Sequence, residues 1–443
     1  MLRTCLLSSK FVSSLKTSFS RNYASVSASP VAVTKSKTGI TVVSVEDSAP
    51  ASSVSLVVKA GSREEGADNV GVAHYLKNFA FKNTSTRTAF RTAREAELLG
   101  GFLSANLTRE SLILSAEFLR QDLGYFMEIL SDIIFKTKYE PHEFSNIKES
   151  VNFERGAATA IPEVIALNTA HAVAFRHGLG NSLFADDATK ISNSSDVRAF
   201  ANKVYTAPNI MIVGTSVNHG ELLHFTDSLF QNVSHAVPST PITSKYFGGE
   251  SRISSPGDSH FVLAFLGAPA GTPDYAALQV LRFLIDGEKC SKWGEGVNVL
   301  AQKASKLENT KISSFNTGYS DAGLFGVHIS GIATSVYSAA RIAVEQLKHA
   351  SSKISKEDFE RALAKARFNT AASYETRASK TEIFGNQILY SGKVTTVNEA
   401  IAQYDRFKIE DIQSTAAKVL KSKPTAVALG DVSTLPYSDG LSL

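Results

Sequence analysis

Apolar residues crowd into positions 53–59 as in a strand, and after a polar loop they recur at helical spacing over 70–81. The same succession returns later in the chain. Residues 260–266 read as a strand, 267–273 as a Gly- and Pro-containing loop, and 274–285 as a helix. Paired strands at 102–108 and 111–118 are answered by 312–319 and 324–330. Each pair leads into an amphipathic helix, one carrying Leu123, Phe126, Leu130 and Ile133, the other Val336, Ala340, Ala343 and Leu347. Long helices follow at 140–160 and 355–374, and each half closes with a proline-opened strand, 208–214 and 424–430.

The offsets between equivalent positions grow slowly and in order. Gly61 to Gly267 is 206, Ser104 to Ser314 is 210, Phe144 to Phe359 is 215 and Pro208 to Pro424 is 216. Ordered drift is what one ancestral unit leaves after duplication and small loop changes. The expected fold class is therefore α+β, with two homologous domains in tandem. Each is expected to be a mainly antiparallel mixed sheet covered by helices on one face. The expected divisions are a leader at 1–23, a first domain at 24–240, a linker at 241–257 rich in Ser, Gly and Pro, and a second domain at 258–443.

Charge refines this picture at one end only. The chain has 443 residues, 46 basic and 42 acidic; residues 1–23 hold four of the basic ones (Arg3, Lys10, Lys16, Arg21) and no acid, the first acid being Glu46. Beyond the leader the charges balance, so the totals give no reason to expect a nucleic-acid partner. The leader also holds six serines and an apolar stripe, Leu7, Phe11, Leu15 and Phe19. An amphipathic, acid-free, Arg- and Ser-bearing start is the pattern of a mitochondrial transit peptide. Arg21-Asn22-Tyr23 followed by Ala24 resembles a matrix processing site, which places the expected cut between Tyr23 and Ala24. Cys5 leaves with the leader, so Cys290 stands alone and no internal disulfide is expected. A hydrophobic content of 43% excludes a wholly disordered chain, and the longest apolar run, 261–270, is shorter than the roughly 18 residues of a membrane span.

The chemistry-bearing stretch is 71–84, where Gly71, Ala73, His74, Leu76, Phe79, Lys82 and Thr84 keep a fixed spacing. It resembles the inverted zinc motif, His-x-x-Glu-His, of the pitrilysin and mitochondrial processing peptidase family. Residues 60–64, 174–180 and 209–222 resemble the same family, so the likeness runs over nearly the whole chain beyond residue 30. In the family two His on one helical face hold zinc, a Glu between them acts as general base, and a distant carboxylate completes the coordination. Here His74 is kept, Lys77 stands at the base position and Asn78 at the second His. The third-ligand spacing falls on Arg155, and a one-residue slip would bring Glu154 there instead. The resemblance therefore implies a degenerate site (His74, Lys77, Asn78, Arg155) with no catalytic residue, no metal and no cofactor. Nothing else replaces that chemistry: the ten His form no closely spaced ligand pair, and 318–323 (Gly-Tyr-Ser-Asp-Ala-Gly) reads as turn glycines. Glu64, Glu65 and Asp68 read as a solvated loop.

Two zinc-less mitochondrial branches of that family are known: the core subunits of ubiquinol–cytochrome c reductase (respiratory complex III), and the alpha subunit of the processing peptidase, which binds presequences. The alpha type carries a long glycine-rich loop early in its second half. The matching stretch here, 287–296, has three glycines among charges and a Trp. The resemblance thus implies the second of the two core types. It also implies its partners, namely the first core type, cytochrome b, cytochrome c1 and the Rieske protein, in an obligate hetero-oligomer within a dimeric complex. The implied place is the matrix side of the mitochondrial inner membrane, peripheral to the bilayer.

Overall fold

The computed structural model describes residues 31–186, 191–236, 243–287 and 298–441. The leader with Tyr23 and Ala24, Cys290, and 288–296 of the compared loop lie outside the described residues.

The first half runs β1 Val31–Lys35, β2 Thr41–Val45, β3 Ala51–Val58, α1 Val72–Phe79 and α2 Ala89–Leu98, then β4 Phe102–Leu107 and β5 Leu112–Leu119. It continues through α3 Leu123–Lys136, α4 Pro141–Thr159, α5 Pro162–Phe175, α6 Ser194–Val204, β6 Ile210–Thr215 and α7 His219–Leu229. The second half opens with β7 Gly249–Ser254, β8 Ser259–Leu266, α8 Pro273–Leu284 and α9 Val299–Ala304, followed by β9 Lys311–Gly318 and β10 Gly323–Gly331. It ends with α10 Ala333–Ser352, α11 Lys356–Ser373, α12 Arg377–Ser391, α13 Val397–Ala402, α14 Ile409–Lys421 and β11 Thr425–Gly430.

The strand orders are β1-β2-β6-β3-β5-β4 and β7-β11-β8-β10-β9. In each sheet one pair is parallel, β2 with β6 and β7 with β11, and the other pairs are antiparallel. The two strand orders and their pairing senses correspond except that β1 has no counterpart in the second sheet, which is the duplicated α+β architecture expected from the offsets. Part of the stretch read as linker, 249–254, is an edge strand of the second sheet. Its polar, charged sequence suits a strand that is only half-buried.

Helices of the same half cover one face of each sheet. In the first, Val54, Leu56, Leu114 and Phe118 pack against Phe126 and Leu130 of α3 and Tyr75 and Leu76 of α1, with Phe118 and Phe126 stacked at 4.6 Å. The opposite face is covered from the other half. Val57, Ile113, Met211 and Val213 pack against Tyr374 and Phe384, and Ser55 Oγ donates to Thr381 Oγ1 at 3.1 Å. Reciprocally, Ala166, Ala170, Ala174 and Phe175 of α5 pack on Val262, Ala264, Leu324 and Val427 of the second sheet. Proline makes this crossing possible. Pro162 forces Ile161 into an extended conformation (φ −101°, ψ 105°), and the chain bends by 97° between α4 and α5. No single described helix is long and apolar enough to cross a membrane.

At the α12 crossing the approach is close. A Cβ on Gly385 would lie 2.4 Å from Val57 Cγ2. Gly385→Leu is expected to destabilise the protein by about 1–3 kcal/mol, read as a lower denaturant midpoint with unchanged slope.

The two halves also meet turn to turn. The β4–β5 turn closes with Thr108 N–H donating to Ser111 O, the β9–β10 turn with Tyr319 N–H donating to Ala322 O, both at 2.8 Å. Arg63 joins them, with Nη1 on Glu110 Oε1 at 2.6 Å and on Asp321 Oδ1 at 2.9 Å, and Nη2 on Asp321 Oδ2 at 2.6 Å. Ser320 N–H and Oγ donate to Glu110. Beside them the buried Arg109 donates to Leu179 O at 3.2 Å and to Asn168 Oδ1 at 2.5 Å. Tyr319 and His171 are joined at 2.8 Å. The 318–323 segment is a turn as expected, and it is also the second half's contribution to the seam.

Candidate functional site

Helix α1 starts where Gly71 takes φ +90°, a left-handed conformation open to glycine. Its first N–H groups are capped from outside the helix: Glu65 Oε2 accepts from Gly71 N and Oε1 from Ala73 N, each at 2.9 Å. Glu65 is thus not part of a solvated loop; it is buried, and burial raises its carboxyl to about 7 against the pull of those two donors. Nothing in the sequence spacing marks it as a cap, because it lies six residues before the helix entrance.

From α1 the side chains at positions i, i+3 and i+4 converge on a single carboxylate. His74 Nε2 is 2.6 Å from Glu154 Oε2, Lys77 Nζ is 2.7 Å from Oε1 and 2.6 Å from Oε2, and Asn78 Nδ2 is 3.3 Å from Oε2. Glu154 comes from α4. The register is that of the one-residue slip: the carboxylate meeting His74, Lys77 and Asn78 is Glu154, one residue before Arg155, on which the motif spacing falls. The charge of Arg155 acts on Tyr75, where it opposes the upward push of burial on the phenol. His74, Lys77 and Asn78 are therefore brought together, with Glu154 in place of Arg155.

The ring of His74 is fixed on its other side by residues that sequence spacing did not single out. Ala185 N–H donates to Nδ1 at 3.2 Å, and Phe184 meets the ring edge-on at 5.6 Å between centroids. Since Nδ1 accepts, the proton of the neutral imidazole sits on Nε2 and is donated to Glu154. Burial holds His74 below the usual histidine range, with Glu154 opposing. For Glu154 burial raises the carboxyl, and the hydrogen bonds from Lys77, His74 and Asn78 outweigh it and hold the group low.

This arrangement does not fit zinc. A divalent ion placed between His74 Nε2 and Glu154 would meet the Lys77 ammonium at roughly 3–4 Å, a repulsion on the order of 10 kcal/mol at a surface-like dielectric. The amide of Asn78 is spent as a donor, to His74 O at 3.1 Å as well as to Glu154. Lys77, as an ammonium, cannot take a proton from an attacking water. Among the described residues no group of three or more His, Cys, Asp or Glu has metal-holding geometry.

The doubled sheets and the motif face define the class. Residues 41–187 match Insulinase (Peptidase family M16) and 193–366 match the Peptidase M16 inactive domain, so the chain belongs to the M16 peptidase family. Within it, the chain is similar to cytochrome b-c1 complex subunit 2, mitochondrial, of Neurospora crassa, 38% identical over 96% of this chain and 94% of that one. The same-named protein of Cryptococcus neoformans is 39% identical over 93% and 95%. The mitochondrial-processing peptidase subunit alpha-2 of Dictyostelium discoideum is 30% identical over 87% and 88%. A chain in the solved structure of complex III2 from Candida albicans shares the fold, with a TM-score of 0.82 at 18% identity, covering 93% of this chain and 99% of that chain.

Proposed function

We propose that this chain is a non-catalytic core structural subunit of mitochondrial respiratory complex III, supporting its assembly and stability during electron transfer from ubiquinol to cytochrome c. The observation that carries the reading is end-to-end likeness to subunits of that complex, 38% identical over 96% of the chain, against 30% over 87% for a processing-peptidase alpha subunit. The motif face supports it, because a lysine-occupied carboxylate offers neither a metal nor a general base for hydrolysis. Its partners are core protein 1, cytochrome b, cytochrome c1 and the Rieske protein, and it works from the matrix side of the inner membrane after removal of residues 1–23. The zinc motif is degenerate at Lys77 and Asn78, and the chain carries no cofactor of its own.

Mild detergent extraction followed by affinity capture of the full chain tests this. A haem-containing membrane complex is expected to travel with it. Recovery instead as a soluble matrix heterodimer that binds presequence peptides would favour the processing-peptidase alpha reading.

A further inference from the structure

We infer that Lys77 has taken over the structural role a metal would play, so that an internal ammonium, held by both oxygens of Glu154, clamps α1 to α4. Three features of the site lead there. The carboxylate of α4 receives donors from one face of α1, His74, Lys77 and Asn78, the positions that in the family carry the two zinc-holding His and the base between them. Lys77 Nζ lies within 2.7 Å of both Glu154 oxygens, so the two charges cancel in place and the partly buried carboxylate needs no other counter-ion. Ala185 fixes the tautomer of His74, so that its Nε2 donates to Glu154 and has no lone pair to offer. The junction itself recurs in the second half. Counting 215 residues on from Glu154, the offset that relates Phe144 to Phe359, reaches Asn369, and Asn369 Oδ1 meets Gln279 Nε2 of α8 at 3.4 Å. Both halves thus join these two helices through a polar side-chain pair. Among the described residues, only the first joins them through a full positive charge.

The role is one of positioning, and its test reads charge as well as stability. In the full chain, Lys77→Met is expected to lower the melting temperature by roughly 5 °C. It should also raise the titration midpoint of His74, because the neighbouring cation is gone and Glu154 is left to the imidazole. Lys77→Arg should restore both. Unchanged melting and an unchanged His74 titration in Lys77→Met would overturn the inference. A metal assay makes the second arm. Lys77→Glu combined with Asn78→His is expected to take up about one zinc per chain, whereas Asn78→His alone, with the ammonium kept, takes up none. Equal zinc uptake by both variants would show that the lysine does not stand in the metal's place. The inference builds on the non-catalytic reading above, but these readouts do not depend on assembly, so the two can fail separately.

Discussion

Acidification from pH 7.5 to pH 5 is expected to loosen the packing of α5 on the second sheet before either sheet loses its own protection. The buried histidines on that seam are held neutral by their surroundings. His171 accepts at Nε2 from Tyr319 and donates Nδ1–H to Leu167 O at 2.7 Å, and burial, with the nearby Arg109 charge, lowers it to about 3. His328, 3.1 Å from His260 Nδ1 and 3.5 Å from Glu163 of α5, is lowered to about 4 by burial. Glu163 pulls it upward, while His260 and Lys311 push it down. His260 is itself lowered by burial, with Glu163 and Asp258 opposing. Between the unfolded value of 6.5 and these folded values the unfolded chain binds more protons than the native one. Stability is therefore fully present above 6.5 and falls as pH drops. At pH 5 the loss from His171 and His328 together is about 4 kcal/mol. Glu65 works in the opposite sense, since its raised carboxyl favours the native state as pH falls below 7, and it offsets about half of the global loss. It acts on the entrance to α1, through Gly71 and Ala73, and not on α5, so the local effect remains. Hydrogen exchange should show Pro162–Phe175 opening at pH 5 while Val54–Val58 stays protected. Uniform exchange behaviour across both regions would refute this account.

The second large effect is expected at the turn-to-turn contact. Arg63→Ala removes the cation shared by Glu110, whose side chain is 1% exposed, and Asp321, 26% exposed. It leaves two acids facing each other across the halves without the guanidinium that bridged them. Breaking one partner out of such a buried set costs about 3–5 kcal/mol. The loss should appear in thermal denaturation of the full chain and in a lower amount of assembled complex. Combining Arg63→Met with Glu110→Gln and Asp321→Asn is expected to recover a large part of it, because the cost lies mostly in uncompensated charge. A change below about 0.5 kcal/mol for Arg63→Ala would mean that the charges are satisfied by solvent, and that the seam is held by packing alone.

How much of this was legible in the sequence depended on what each residue answers to. The duplicated order of strands and helices was readable because each element repeats one pattern set by one buried face. The zinc-motif positions were readable because α1 is a single helix with fixed spacing. Their partner was not, since whether Glu154 or Arg155 faces α1 depends on how α4 is rotated, which is a tertiary matter. The crossed helices gave little signal. In α5 the buried face is mostly small alanines, Ala166, Ala170 and Ala174. Beneath α12, β3 is buried along nearly its whole length, yet Ser52, Ser53 and Ser55 break its apolar pattern, so the second covered face does not show in the sequence. The importance of Asp321 and Ser320 was hidden for a similar reason. In sequence they are turn residues, and only the approach of a second, equivalent turn gives them Arg63 and Glu110 as neighbours.

The exchange of covering helices has a consequence for the order in which the protein can be completed. The surface formed by Val57, Ile113, Met211 and Val213 belongs to the first 215 residues, yet it stays bare until Tyr374 and Phe384 arrive near the other end. A premature stop anywhere before about residue 391 would therefore harm the portion already made, leaving an apolar sheet face open to aggregation. During synthesis or import the leading portion must wait for the trailing one, so holdase chaperones should engage it throughout that interval.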